Sequence, residues 1–263
     1  MLAKLISASE LIGAKNKAII DVTWIVPGSD DSALPKGAVK TARFFDLAAI
    51  KALPLARQTP QVIAEMLGEI GITPEDDVVI YDRKGIFSAP RLWWLLQSVG
   101  HKNMAILNGG LAAYIAAGGA LQEQHSAYEK TCYTPSAPHF REAVFEDVLG
   151  TEAQIIDARP SGRFNGTTPE PRAGLRSGHM PGAISLPYGS LIKDGLLRSD
   201  DELKAAINTA GIDLSKPIIT TCGSGVTAAG LAFIFTKLGA RNLRVYTGSW
   251  AEYGASTAPV ETT

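Results

Sequence analysis

Residues 217–229 read Pro-Ile-Ile-Thr-Thr-Cys-Gly-Ser-Gly-Val-Thr-Ala-Ala, and most of the fold prediction depends on them. The β-branched run at 217–221 predicts a buried parallel strand. The apolar run at 228–238, followed by Gly239, predicts a helix that ends at a glycine. A strand, a short glycine turn and a helix in this order are typical of α/β proteins with parallel sheets.

The same pattern occurs earlier in the chain, which indicates a duplication. Residues 78–89 align with residues 218–229, and residues 107–114 align with residues 246–253 after a shift of one position. An apolar run ends in aspartate in each half, at Asp21 and at Asp157. We therefore predict two tandem α/β domains, each with a mainly parallel sheet flanked by helices. The predicted boundaries are 1–125 and 140–263, with a linker containing Pro, Ser and Thr at 126–139.

Cys222 lies in the predicted turn, at the carboxyl edge of the sheet and before a helix N-terminus. Free backbone N–H groups and the positive end of the helix dipole favour negative charge there. The two nearby glycines let several N–H groups converge on one point, which lowers the pKa of a thiol and favours the nucleophilic thiolate. We predict that Cys222 is the catalytic nucleophile. The predicted cradle around its sulfur consists of Gly223, Ser224, Gly225, Val226 and Thr227.

The equivalent position in the first half is Asp82, so we expect one thiol site per chain. The first half would then cover and shape that site. Arg83 and Lys84 follow Asp82, and we interpret them as surface features rather than as a site. Cys132, in the predicted linker, is interpreted as an incidental thiol.

Two kinds of thiol chemistry fit poorly with the residues around Cys222. A cysteine phosphatase needs an arginine six positions after the cysteine to bind phosphate, and position 228 is alanine. A cysteine protease needs a histidine partner, and none of the four histidines has a distinctive pattern. A thiolate that stores sulfur as a persulfide needs mainly a low pKa and N–H donors, which this turn provides.

Composition excludes several classes of partner. The 263 residues carry a net charge of −1, which gives no reason to expect nucleic acid or a membrane as a partner. Two distant cysteines form neither a disulfide framework nor a zinc site. No apolar signal-peptide core precedes Glu10, and we expect a cytoplasmic protein with reduced thiols.

Several motifs together resemble one protein family, the two-domain rhodanese-like sulfurtransferases. Residues 222–228, Cys-Gly-Ser-Gly-Val-Thr-Ala, are similar to the active loop of the 3-mercaptopyruvate sulfurtransferase branch. The other motifs are Ser-Gly-His-Met-Pro-Gly-Ala at 177–183, Phe-Ser-Ala-Pro-Arg-Leu-Trp-Trp at 87–94, Leu-Asn-Gly-Gly-Leu at 107–111 and Gly-Ser-Trp at 248–250. The resemblance covers nearly the whole chain and implies two rhodanese-like domains, of which the second carries the nucleophile.

The resemblance also implies a substrate site. Arg163 and Arg172 match arginines that bind the carboxylate and keto oxygen of mercaptopyruvate in relatives, a role that suits planar guanidinium groups. The loop contains no lysine, unlike that of thiosulfate-specific relatives, which favours the monoanionic donor. One departure is that the Asp and His of a proton relay, which relatives carry after a segment like residues 44–46, have no counterpart before Pro60.

The sequence thus predicts a sulfurtransferase that moves sulfur from 3-mercaptopyruvate, through a Cys222 persulfide, to cyanide, a thiol or a reduced dithiol protein, and that releases pyruvate. No metal or organic cofactor is required. Two alternatives stay open. In the first, the protein is a sulfurtransferase whose donor is thiosulfate. In the second, it is not an enzyme and either carries sulfur or binds a partner.

Overall fold

The computed structural model describes residues 3–26 and 28–263, and the described residues form two compact units. The N-terminal unit takes in those of residues 4–139 together with residues 194–197. The C-terminal unit takes in Ala3, residues 140–193 and residues 198–263.

The N-terminal unit alternates short strands and helices. Its strands are β1 (Leu5–Ile6), β2 (Ala18–Asp21), β3 (Ala38–Val39), β4 (Arg43–Phe44), β5 (Val78–Tyr81), β6 (Met104–Leu107) and β7 (Leu121–Gln122). Its helices are α1 (Ala8–Gly13), α2 (Leu47–Ala52), α3 (Pro60–Glu69), α4 (Ala89–Ser98) and α5 (Gly110–Ala116), with a 3-10 turn at Leu55–Arg57.

The C-terminal part of the chain repeats this alternation. Its strands are β8 (Glu142–Ala143), β9 (Gln154–Asp157), β10 (Ile184–Ser185), β11 (Ile192–Lys193), β12 (Leu196–Leu197), β13 (Ile218–Thr221) and β14 (Leu243–Tyr246). Its helices are α6 (Ser161–Phe164), α7 (Asp200–Thr209), α8 (Val226–Lys237) and α9 (Ser249–Tyr253), with 3-10 turns at Phe145–Val148 and Tyr188–Leu191.

Each unit is built on a five-stranded sheet whose strand pairs are all parallel. The orders are β4-β2-β5-β6-β1 and β10-β9-β13-β14-β8, so corresponding strands occupy corresponding places. The predicted α/β class and the duplication are therefore confirmed. The strands at the centres, β5 and β13, are buried along their whole length, as expected for parallel strands covered by helices on both faces.

The strand and helix around Cys222 lie close to their predicted positions. Strand β13 begins one residue after the predicted start, and α8 begins at Val226, two residues before the predicted one. The earlier start follows from Gly225, which adopts φ +80° as the N-cap residue and so turns the chain into the helix sooner. Helix α8 is buried on nearly all sides, and it packs against β13, β14 and the 3-10 turn at Tyr188–Leu191.

Residues 126–139 form a strap along the N-terminal unit. The amides of Ser126, Thr131 and Ser136 donate hydrogen bonds of 2.9 Å each to carbonyls of that unit. At Gly68 the strap approaches so closely that a Cβ would lie 2.5 Å from the Thr131 carbonyl oxygen. The segment is thus held by backbone hydrogen bonds along its length.

No helix within residues 3–26 and 28–263 has both the length and the apolar character needed to cross a membrane.

Candidate active site

Cys222 follows β13 directly, at the carboxyl edge of the C-terminal sheet, and its side chain is buried. Ligand sites of open α/β sheets are found at this edge, because loops from neighbouring strands meet there. The Cys222 carbonyl accepts a hydrogen bond of 2.9 Å from the Trp250 amide, and the Gly223 carbonyl accepts one of 3.0 Å from the Ala251 amide. These bonds tie the cysteine turn to the loop that follows β14.

Backbone amides surround the Cys222 sulfur. The Gly225 amide lies 3.1 Å from Sγ and the Ser224 amide 3.4 Å, and both donate to it. Among the described residues, the amides of Gly223 and Val226 form no such bond. The predicted cradle therefore narrows to Ser224, Gly225, the Thr227 hydroxyl and, beyond the predicted range, the Ala228 amide.

This environment sets the ionisation of the thiol. Burial alone would raise the pKa of Cys222, and the charge of Asp157 acts in the same direction. Hydrogen bonds from the Thr227 hydroxyl and from the amides of Ser224 and Ala228 outweigh both effects, so the pKa lies below that of an ordinary cysteine. The arrangement favours a buried, hydrogen-bonded thiolate.

Ser249 lies beside Cys222, although the sequence indicates it only as part of the Gly-Ser-Trp motif and not as a site residue. Its Oγ accepts a hydrogen bond of 3.2 Å from the Cys222 amide, donates one of 2.8 Å to the Tyr246 carbonyl and lies 4.0 Å from Sγ. Ser249 is buried and has φ +51°, a left-handed conformation that costs a non-glycine residue free energy. The internal repeat could have indicated this conformation, because the position in the first half that aligns with Ser249 is Gly110, which has φ +55°.

Arg163 lies beside the cysteine turn. An ideal Cβ built on Gly223 would be only 2.8 Å from Arg163 Nη2, so the absence of a side chain at Gly223 gives the guanidinium its place. About a fifth of the Arg163 side chain is exposed. Arg172, in contrast, is an exposed residue that forms no hydrogen bond or ion pair with any residue the structure describes. The structure thus brings Arg163, and not Arg172, against the turn.

A buried network of charges lies next to Arg163. Asp157 accepts hydrogen bonds from Arg159 on both carboxylate oxygens, and the Arg159 Nη1 also reaches Glu170 Oε1 at 2.8 Å. Glu170 in turn binds Arg163 at Nε and Nη2. The Arg159 guanidinium lies 4.1 Å from the centre of the Trp250 ring, which is fully buried. Trp250 is therefore a packing residue. Asp157 orders the loop that follows it, because its Oδ1 also accepts a hydrogen bond from the Arg159 amide.

The corresponding turn of the N-terminal unit is filled by a carboxylate. Asp82 is fully buried, and its Oδ2 accepts the amides of Phe87, Ser88 and Ala89 at 2.8–2.9 Å. The N-terminal unit thus has a similar set of converging amides, but they surround the Asp82 carboxylate and not a sulfur nucleophile. The two cations that follow are paired, Arg83 with Asp21 at 3.4 Å and Lys84 with Asp31 at 2.7 Å. Both cations are partly buried, and each is bound to an acid of the same unit.

Comparisons with known proteins agree with the duplicated fold. The family model described as a rhodanese-like domain matches residues 6–117 and 143–256. The 3-mercaptopyruvate sulfurtransferase of Escherichia coli (strain K12) is 39% identical over 258 residues, which cover 92% of this chain and 91% of the relative. The thiosulfate sulfurtransferase of Bos taurus is 34% identical over 258 residues, covering 93% and 86%.

A solved structure gives the same result in three dimensions. The crystal structure of SseA from Escherichia coli, described as a 3-mercaptopyruvate sulfotransferase with the rhodanese fold, superimposes with a TM-score of 0.79. The sequence identity in this alignment is 34%, and it covers 94% of this chain and 99% of SseA. With both of its halves matched, the chain belongs to the two-domain rhodanese-like sulfurtransferases.

Proposed function

We propose that the protein transfers a sulfur atom from 3-mercaptopyruvate, through a persulfide on Cys222, to a thiophilic acceptor, and that it releases pyruvate. As a sulfurtransferase it acts on a sulfur donor and an acceptor. The observation that carries the proposal is the Cys222 sulfur itself, which is buried, receives two amide hydrogen bonds and has a lowered pKa.

In the first half-reaction the Cys222 thiolate attacks the sulfur of mercaptopyruvate. A sulfur–sulfur bond forms, the carbon–sulfur bond breaks, and its electron pair stays on carbon as the enolate of pyruvate. The enolate takes one proton and leaves as pyruvate. The amides of Ser224 and Gly225 stabilise first the thiolate and then the persulfide, because both forms place a negative or polarisable sulfur within reach of these two N–H groups.

In the second half-reaction the acceptor attacks the outer sulfur of the persulfide. With cyanide the product is thiocyanate, and with a thiol or a reduced dithiol protein it is a new persulfide. The sulfur–sulfur bond breaks and returns the electron pair to Cys222, so the thiolate is regenerated without a change in net oxidation state. The chemistry requires no metal or organic cofactor.

The donor is selected by charge. Gly223 and Ser224 place no cation beside the sulfur, and Glu170 offsets much of the charge on Arg163. A donor with a single carboxylate suits this site better than a dianion, since each further negative charge near the thiolate is repelled. Arg163 is proposed to bind the donor carboxylate, with Arg172 as the second, exposed cation of the site.

Thiosulfate is the second candidate donor. The observation in its favour is that the bovine relative, 34% identical over 93% of this chain, is named a thiosulfate sulfurtransferase. Measuring kcat/KM for both donors with cyanide as the common acceptor decides between them. We expect the larger value for mercaptopyruvate, and a larger one for thiosulfate would assign the protein to the second donor.

The test of the proposed function is pyruvate release from mercaptopyruvate by the wild-type protein, by Cys222→Ser and by Cys132→Ser. Cys132 is exposed and lies in the N-terminal unit, so its variant is a matched control for loss of a thiol. We expect wild-type turnover with Cys132→Ser and none with Cys222→Ser. Equal release from Cys222→Ser would exclude the mechanism. A Cys222 persulfide that no acceptor removes would favour a non-catalytic sulfur carrier.

A further inference from the structure

Glu170 is a buried acid between two arginines of the C-terminal unit. Its side chain is 2% exposed, and it lies in the loop after α6. Oε1 accepts hydrogen bonds from Arg159 Nη1 at 2.8 Å and from Arg163 Nε at 3.1 Å, and Oε2 accepts one from Arg163 Nη2 at 2.5 Å. Both oxygens of the carboxylate are therefore engaged with guanidinium groups.

The two arginines differ in how many of their N–H groups remain available to a ligand. Arg159 donates to both oxygens of Asp157, to the Gly178 carbonyl and to Glu170, and its side chain is 1% exposed. Arg159 therefore has a structural role. A guanidinium has five N–H groups, and Arg163 gives Glu170 one from Nε and one from Nη2. Three remain, two on Nη1 and one on Nη2, and one N–H of each nitrogen together form the second bidentate edge of the group.

The position of Arg163 makes this second edge useful. Nη2 lies beside Gly223, the residue after Cys222, and the side chain is partly exposed. A long arginine side chain at a partly exposed place would otherwise sample several rotamers, at a cost in entropy each time a ligand fixes one of them. Glu170 binds one edge of the guanidinium, and Glu170 is itself bound by Arg159, which Asp157 holds in place.

We propose that Glu170 is a positioning residue of the sulfur-transfer site, which binds the Nε–Nη2 edge of Arg163 and thereby presents its Nη1–Nη2 edge to the carboxylate of the sulfur donor. The proposal rests on the proposed function. Binding geometry fixed in advance lowers the cost of ordering the donor. The expected consequence is that Glu170 affects the KM for the donor more than it affects the chemical step.

The test compares Glu170→Gln with wild type and with Glu202→Gln. The amide oxygen of a glutamine can take the place of Oε1, but its NH₂ group then faces Arg163 Nη2. Both groups are hydrogen-bond donors, so this hydrogen bond is lost. Glu202 is a matched control because it also pairs with an arginine in the C-terminal unit, at 2.9 Å to Arg198, and glutamine is equally suited to its helix-capping position.

Three quantities are measured for each protein: kcat and KM for mercaptopyruvate, and the midpoint of the pH dependence of Cys222 alkylation by iodoacetamide, which carries no charge. For Glu170→Gln we expect KM to rise about tenfold or more, since a charged hydrogen bond that orients the ligand is lost. We expect kcat to change less than threefold or so, and the alkylation midpoint to stay at the wild-type value. Glu202→Gln should match wild type in all three.

The outcomes separate this proposal from the proposed function. A wild-type protein that releases no pyruvate overturns both. Wild-type turnover together with an unchanged KM in Glu170→Gln overturns the positioning role alone. A parallel loss of kcat and a displaced alkylation midpoint show a general structural role and also overturn it.

Two further variants keep the test decisive. If Glu170→Gln does not fold, Glu170→Asp retains the charge and moves the carboxylate back by one methylene, and the same split between KM and kcat is expected. In an Arg163→Ala background, Glu170→Gln should raise KM no further, because its effect passes through Arg163. Additive effects in the two backgrounds would contradict the proposal.

Discussion

Replacing Thr227 by valine removes one hydrogen bond to the Cys222 sulfur while the shape of the side chain is nearly kept. Thr227 lies in the first turn of α8 and is half-buried, and its hydroxyl lowers the pKa of the thiol. The amide donors at Ser224 and Gly225 remain in the variant. We therefore expect the pKa of Cys222 to rise without loss of the fold.

The size of the effect follows from the strength of a hydrogen bond to a charged group, about 1.5–3 kcal/mol. Because Thr227 is half-buried, water can replace part of that stabilisation, and the lower end applies. A loss of about 1.5 kcal/mol changes the acid dissociation constant of the thiol about tenfold. The intrinsic reactivity of the thiolate rises about threefold at the same time, since a more basic thiolate is a better nucleophile.

The assay is the rate of alkylation of Cys222 by iodoacetamide as a function of pH. At pH values below the wild-type midpoint the rate should fall only about threefold, because the two effects partly cancel. The midpoint of the profile should nevertheless move to clearly higher pH. Thr236→Val is the matched control, as Thr236 is buried in the same helix and its Oγ1 has no hydrogen-bond partner among the described residues. An unmoved midpoint in Thr227→Val, or an equal displacement in both variants, would show that the Thr227 hydroxyl does not stabilise the thiolate.

Two other perturbations test the place of Arg163 and the charge of Asp21. Gly223→Ala would place a Cβ 2.8 Å from Arg163 Nη2, so the guanidinium must move, and we expect a several-fold rise in the KM for mercaptopyruvate that Gly189→Ala, which meets no atom within 4 Å, does not show. Burial alone would raise the pKa of Asp21, but hydrogen bonds, the one from His125 first, lower it. The ionised carboxylate therefore stabilises the fold above the unfolded pKa of about 3.9, and this contribution is lost as the pH falls through the lower, folded pKa. Urea unfolding of Asp21→Asn should show a smaller loss of stability between about pH 5 and pH 2 than wild type, and an equal loss would contradict the assignment.

Much of the fold could be predicted from the sequence because the same pattern of strands, turns and helices occurs in both halves of the chain. An apolar run followed by a glycine turn indicates a parallel strand and a helix only weakly when it occurs once. Its recurrence, with Asp82 in the place of Cys222, links both halves to one topology. The exact ends of the elements depended on backbone conformations, such as φ +80° at Gly225, which residue type suggests but does not fix.

The behaviour of residues 126–139 shows the limit of composition as evidence. Proline, serine and threonine are typical of linkers, and the prediction of a linker at 126–139 says nothing of how the segment packs. The structure shows it hydrogen-bonded along the N-terminal unit. The close approach depends on Gly68, which is distant in sequence, and on carbonyl groups, which every residue has. Composition cannot predict a contact of that kind.

The site was predictable only in part, for a related reason. Cys222 and its amide donors are neighbours in sequence, so local reasoning reaches them. Glu170 and Ser249 act through partners 7 and 27 positions away, and their residue types are common at surfaces and turns. Burial distinguishes them, and it appears only in the folded chain. Arg163 and Arg172 are equivalent in the sequence, but of these two arginines the structure places only Arg163 beside the cysteine turn.

The persulfide on Cys222 can be detected in the intact mass of the protein after it is mixed with mercaptopyruvate in the absence of an acceptor. We expect that one sulfur atom is added per chain, that peptide mapping places it on Cys222, and that cyanide removes it and restores the original mass. Cys222→Ser should gain no sulfur. Pyruvate release with no added sulfur on wild type, or with the sulfur on Cys132, would show that the reaction does not pass through a Cys222 persulfide.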